Sequence, residues 1–84
     1  MSALAASRQQ QRALYDRAMK ALAPAADELD RLRGDYAGAC VGFVVGRVEE
    51  SELEEREAKI AAAELRVRRY AAAVEQVRPQ RFPG

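Results

Sequence analysis

The fold is decided by residues 44–53, which read Val-Val-Gly-Arg-Val-Glu-Glu-Ser-Glu-Leu. Gly46 suits the left-handed residue that ends many helices, because glycine has no Cβ to clash in that conformation. The glutamates that follow place negative charge at the positive end of a new helix dipole. The stretch therefore predicts a tight connection between two helices, which would then run antiparallel.

On both sides of this turn, apolar residues recur every seven positions, with a second residue three positions after most of them. This spacing is typical of amphipathic helices that pack along a coiled-coil-like seam. The upstream stripe consists of Tyr15, Ala18, Leu22, Ala25, Leu29, Leu32, Tyr36, Ala39, Phe43 and Gly46. The downstream stripe consists of Leu53, Arg56, Ile60, Ala63, Val67, Tyr70, Val74 and Val77, with Arg56 as its one polar member.

Two prolines set the remaining boundaries. Pro24 would remove a backbone donor from a helix interior but is well placed as the first residue of a helix, so the sequence favours a break near Ala23 over a kink. Pro79 ends the last helix. The predicted helices span residues 2–22, 24–45 and 49–78, and residues 79–84 form an extended tail. The predicted fold is all-α, an antiparallel helical hairpin plus an N-terminal helix in one domain over residues 1–78.

Four glycines, Gly34, Gly38, Gly42 and Gly46, recur every four residues. Each glycine in a helix interior costs about 1 kcal/mol relative to alanine, so some gain must offset the loss. Small residues four apart form a flat ridge on which another backbone can lie closely. The whole run 36–46 is apolar or small on every side, which predicts burial on every side. Because one neighbouring helix covers only one stripe, the sequence predicts contact with a further helix or chain.

A β-strand over residues 40–48 is the alternative, because this segment is rich in β-branched residues. A helix–strand–helix chain could pair that strand in an oligomer. A membrane span is not predicted, since the apolar run is about half of the length that a bilayer requires and charged residues flank it.

The stretch from Val44 to Arg56 is similar to the turn of the short bacterial C-terminal domains called SHOCT, and of many small phage proteins. In those domains an apolar residue, a glycine, any residue and an isoleucine or valine precede an acidic helix start. This chain carries Glu49 at the cap, where they usually have serine or threonine. The resemblance implies a small helical hairpin of bacterial or phage origin.

Charge is distributed unevenly along the chain. Residues 49–57 carry six glutamates against one arginine, whereas the first helix and the end of the last one are basic. Arg66, Arg68 and Arg69 form a basic patch that could bind phosphate or an acidic partner. The formal net charge of +1 gives no general attraction to nucleic acid, so nucleic-acid binding is a second hypothesis only.

The sequence offers little for catalysis. It has no histidine, and its single cysteine, Cys40, excludes an intramolecular disulfide and has no base to activate it. We therefore predict no catalytic residue, no cofactor and no metal site. The chain starts without a basic leader and a long apolar run, which predicts no signal peptide and a cytoplasmic or virion-associated protein.

The sequence predicts a non-enzymatic structural, assembly or adaptor protein that acts by helix–helix packing, in a homo-oligomer or with other protein chains. A small phage virion or secretion-apparatus subunit would fit. The alternatives are a small regulator that binds nucleic acid through a basic helix end, and a chaperone whose groove holds another helix. Leu65 departs from the downstream stripe among alanines and predicts a second contact surface. The residues predicted to contact a partner are Gly34, Gly38, Val41, Gly42, Val45 and Leu65.

Overall fold

The structure, a computed structural model, describes the backbone of residues 3–78 and the side chains of residues 8–78. Within them, helix α1 runs from Ala3 to Val44 and helix α2 from Glu50 to Val77, and the two pack against each other. The all-α prediction is confirmed for this part of the chain. The strand alternative is wrong, because α1 continues to Val44 and a turn follows. The predicted tail, residues 79–84, lies outside the described residues, as does residue 2, the predicted start of the first helix.

The predicted break near Ala23 is wrong, because α1 passes through Pro24 without interruption. Proline removes one helical hydrogen bond and crowds the preceding turn, at a cost of about 3 kcal/mol. The stripe keeps its phase across this point, and Ala25 and Leu29 are buried. Packing of this continuous stripe on α2 therefore outweighs the local preference for a break, and the predicted three-helix arrangement becomes two helices.

Three polar contacts between the helices define their relative direction. Arg56 Nε donates to Asp35 Oδ2 at 3.0 Å, and Tyr36 Oη donates to Glu57 Oε2 at 2.6 Å. Further from the turn, Arg33 Nη2 lies 3.7 Å from Glu64 Oε1. From the Arg33–Glu64 pair to the Asp35–Arg56 pair, the residue number rises along α1 and falls along α2, so the helices are antiparallel. Extending this register at about 1.5 Å per residue puts the end of α2 beside α1 near Arg17.

The core is a thin layer between the two predicted stripes. Arg56, the polar member of the downstream stripe, is half-buried, and it pairs with Asp35 and donates to the Glu52 carbonyl. Among the described residues, none is completely shielded from solvent. The buried residues are Ala25, Leu29, Ala39, Leu53, Ala63 and Val74. Half of them are alanines, so this core supplies only a small hydrophobic contribution to stability.

The turn between the helices is closed by the glycine that the sequence singled out. Gly46 has φ +80°, and its N–H donates to the Phe43 carbonyl at 3.1 Å, while the N–H of Arg47 donates to the Gly42 carbonyl at 2.7 Å. This pair of bonds is the Schellman motif. The predicted left-handed C-terminal cap is confirmed.

The start of α2 is held by its own acidic residues. The Glu52 carboxylate accepts a hydrogen bond from the Glu49 N–H at 2.8 Å, so a backbone donor that precedes the helix is satisfied. Glu50 and Glu52 also place negative charge in the first turn. The observed helix, Glu50–Val77, lies within one residue of the predicted one at both ends. Arg78 is extended, as expected before a proline.

Replacing Pro24 with alanine should stabilise the protein by about 2 kcal/mol, because the lost helical hydrogen bond is restored while the unfolded chain gains some freedom. Urea unfolding followed by circular dichroism at one low protein concentration measures the change. An unchanged or lower free energy of unfolding would show that the helix is interrupted there.

Replacing Gly46 with alanine should destabilise the protein by about 1 kcal/mol, because an L-residue is strained at positive φ. The matched variant Gly46→Asn should lose less, since asparagine tolerates the left-handed conformation better. Thermal unfolding of the three proteins tests this order, and equal melting temperatures would contradict it.

Candidate functional site

The most distinctive surface of the molecule is a face of α1 near the turn. On a helix with about 3.6 residues per turn, Gly34, Gly38, Val41 and Val45 share one side, and that side lies half a turn from the stripe that packs on α2. All four residues are exposed. We call this surface, together with Ala37 and Val44, the outer face of α1.

The outer face exposes large apolar side chains. Val41, Val44 and Val45 retain 65%, 83% and 61% of their accessible surface. Isolated exposed apolar residues are normal, but Val41 and Val44 in the last turn of α1 and Val45 directly after it form a contiguous patch of the kind that marks an interaction surface. No charged residue separates them in the sequence.

Two glycines extend this patch along α1. A Cβ atom built on Gly34 or on Gly38 would meet no atom within 4 Å. Neither glycine is therefore needed for the contact between α1 and α2, although each costs the helix about 1 kcal/mol relative to alanine. Nothing inside the described chain offsets this cost.

Gly42, which the sequence grouped with these residues, has a different role. A Cβ atom on Gly42 would lie 2.6 Å from Cγ2 of Val48, so the glycine makes room for the valine that follows the turn. The N–H of Val48 also donates to the Gly42 carbonyl at 3.2 Å. Gly42 thus serves the turn of its own chain.

Leu65 lies on α2, half a turn away from the buried residues of that helix, and 40% of its surface is exposed. Because each outward face points away from the other helix, Leu65 and Val41 are on opposite sides of the molecule. The structure brings together four of the six residues predicted to contact a partner, and it separates Leu65 and Gly42 from them.

The predicted basic patch is exposed but does not form an isolated positive surface. Arg66 lines a shallow groove between the helices together with Glu28, Asp35 and Lys59. The groove therefore contains both acidic and basic side chains. Arg68 and Arg69 are exposed on α2 next to it in sequence.

The polar side chains close to the helix seam are largely engaged with each other. The hydrogen bond to Glu57, assisted by Cys40, raises the pKa of the Tyr36 hydroxyl well above its usual value, so Tyr36 stays a neutral donor. The hydrogen bond and charge of Arg31 lower the pKa of Glu28. Among the side chains of residues 8–78, no three of the His, Cys, Asp and Glu types converge as a metal site would require.

Val44 and Ala37 belong to the outer face, although sequence analysis did not single them out. Both occur in the apolar run 36–46, and their spacing from Val41 is three and four residues. A helical-wheel projection of residues 36–46 would have identified both residues, because it places them away from the stripe that packs on α2.

Comparison with protein-family models, with curated proteins and with solved structures finds no match to this chain. Neither helix of the described chain has a stretch that is long and apolar enough to cross a membrane.

Alanine substitutions should separate the glycines of the outer face from the glycine of the turn. Gly34→Ala and Gly38→Ala should each raise the free energy of unfolding by about 1 kcal/mol, because helix propensity improves and the new methyl group meets open space. The matched variant Gly42→Ala should show no gain, because its methyl group displaces Val48. Urea unfolding of the three variants provides the comparison, and equal gains at all three positions would contradict it.

Proposed function

We propose that this protein is a non-enzymatic assembly component or adaptor, which packs the outer face of α1 against another protein chain in an oligomer or larger complex. The single observation that carries the proposal is the exposed patch of Val41, Val44 and Val45 on the side of α1 that α2 does not cover. A helix that carries apolar residues on two opposite sides needs two partners, and α2 supplies only one.

The glycines of the outer face support the same conclusion. Gly34 and Gly38 lower the stability of α1, and no contact within the described chain uses the space they leave. Without side chains, they would let the axis of a further helix approach α1 more closely than leucine or valine would. A partner helix lying along this ridge would pack on the side of α1 opposite α2.

The thin core gives the protein an energetic reason to associate. Alanines make up half of the buried residues between α1 and α2. Small domains with so little apolar burial are often stabilised by oligomerisation. Burying three valines in an interface would add about 1.5–3 kcal/mol for each fully covered side chain.

Such a role suits a small structural subunit, including one of a phage virion or a secretion apparatus. It would place the protein in the cytoplasm or in a virion. The proposal depends on contact surfaces and needs no catalytic group.

Gly38→Leu tests the proposal without damaging the fold. The leucine side chain should improve helix propensity and meet open space in the single chain, but it should obstruct a helix that lies along the ridge. We expect a higher melting temperature at low concentration together with at least about tenfold weaker association, which corresponds to about 1.4 kcal/mol. Sedimentation velocity over a concentration series measures the association.

Two matched variants complete this test. Gly38→Ala should keep the association, since a methyl group fits a close helix contact, and Leu65→Asp should also keep it, since Leu65 lies on the opposite side. Val41→Asp should abolish it. An oligomer unchanged by Gly38→Leu and Val41→Asp would contradict the proposal, and a monomer that binds duplex DNA with strong salt dependence would favour a nucleic-acid role.

A further inference from the structure

The outer face of α1 carries its small and its large residues in two separate halves. Gly34 and Gly38 are four positions apart, Val41 follows after three positions, and Val45 after four more. The N–H of Val45 donates to the Val41 carbonyl at 3.2 Å, so Val45 continues the helical path although α1 ends at Val44. The face therefore presents a flat half made of two glycines and a raised half made of two exposed valines.

The spacing of these four residues is the same when it is read backwards. The intervals are four, three and four residues in both directions, whereas the order of the side-chain sizes is reversed. An antiparallel second copy can therefore place its Val41 over Gly38 and its Val45 over Gly34. By symmetry, the valines of the first copy meet the glycines of the second in the same way. Each large side chain then lies over a small one, which is how facing helices interlock.

A parallel second copy does not make these contacts. It would put glycine on glycine and valine on valine. The two helices would then cross closely at the glycines, and the valines would splay apart and stay exposed to water. Only the antiparallel arrangement covers the valines and fills the space above the glycines together.

The uncharged part of α1 favours the same register. Residues 36–46 contain no charged side chain, and Asp35 is directed to α2, where it pairs with Arg56. With Val41 over Gly38, the uncharged stretches of the two copies overlap, so the contact buries no charge. A large shift in either direction would place the valines of one copy against charged residues of the other.

The two ends of the overlap carry charges of opposite sign. Arg47 directly follows the outer face, and Asp30 lies one turn before Gly34 on the same side of α1. In the antiparallel register, Arg47 of each copy comes within about one helical turn of Asp30 of the other. Among the described residues, no ion pair engages Arg47 or Asp30. A parallel copy would instead bring like charges together at both ends.

The glutamates of α2 do not oppose this contact. Helix α2 packs on the other side of α1, so both α1 helices lie between the two α2 helices of a pair. With interaxial distances of 8–10 Å between neighbours, the α2 helices are about 25 Å apart. This separation exceeds the Debye length of about 10 Å at 0.1 M salt, so their repulsion is largely screened.

We infer that the partner of the outer face is a second copy of this chain, which packs antiparallel on it about a two-fold axis between residues 38 and 41. This inference rests on the proposed function and adds the identity of the partner, its orientation and its register. Because each copy uses the same surface, the contact closes on itself and gives a dimer, not an open chain. Leu65 then lies on the two outward sides of that dimer.

Exchange of a glycine with the valine that faces it tests the register in the full-length protein. Gly38→Val alone should associate at least about tenfold more weakly, because the new valine meets Val41 of the other copy. Val41→Gly alone should also associate at least about tenfold more weakly, because it leaves a gap over Gly38. The double variant Gly38→Val with Val41→Gly should associate as the wild type does, because the new valine lies over the new glycine in both copies.

A matched double variant, Gly34→Val with Val41→Gly, has the same composition but the wrong pairing. Its new valine meets Val45 of the other copy, and its new glycine meets Gly38, so association should stay at least about tenfold weaker than in the wild type. Sedimentation velocity over a concentration series measures the association of each protein. Circular dichroism shows that the variants keep their helices.

Loss of association in both single variants, with recovery only in Gly38→Val with Val41→Gly, supports the inference. Loss in the single variants without recovery, or equal recovery in both double variants, overturns the inference and keeps the proposed function. A wild type that stays monomeric at every concentration also overturns the inference, and the outer face then remains available to a different protein chain. Association that ignores every one of these changes and also Val41→Asp overturns both.

Discussion

The structure depends on the continuity of α1 through Pro24. A helix of 42 residues cannot be covered by one of 28, so part of α1 has no neighbour along its length. Had the chain broken near Ala23, the first segment could have folded back over Val41 and Val45. The uninterrupted helix instead directs that segment away from the turn, and both the outer face and most of residues 8–17 remain exposed.

The four regularly spaced glycines have three different physical roles. Gly46 adopts a conformation that other residues resist, and Gly42 makes room for Val48. Gly34 and Gly38 do neither. They lower the stability of α1, and no contact within the described chain offsets that loss. The four glycines are evenly spaced in the sequence, but only Gly42 and Gly46 serve the turn. Gly34 and Gly38 lie on the exposed surface of α1.

Much of the fold could be predicted because it follows from local rules. The seven-residue stripes located the seam, and Gly46 with the following glutamates located the turn and the start of α2. The predicted break failed because a local preference at Pro24 was weighed without the packing of Ala25 and Leu29 on α2. The strand alternative failed for a related reason, since β-branched residues such as Val41 and Val44 are acceptable in a helix whose backbone bonds are complete.

The site could be predicted only in part. Apolar residues all around 36–46 indicated that α1 needed more than one neighbour. Which side would remain open depended on the rotation of α1 against α2, and that is set by the whole seam. Leu65 was predicted to form a second contact surface, and the antiparallel arrangement puts it on the opposite side of the molecule from Val41.

The unequal helix lengths also bear on how the chain folds. Residues 8–17 of α1 lie at or beyond the end of α2, and isolated helices shorter than about 12–15 residues are marginal in water. The helical hydrogen bonds of this segment should therefore open and exchange their amide protons faster than those of residues beside α2.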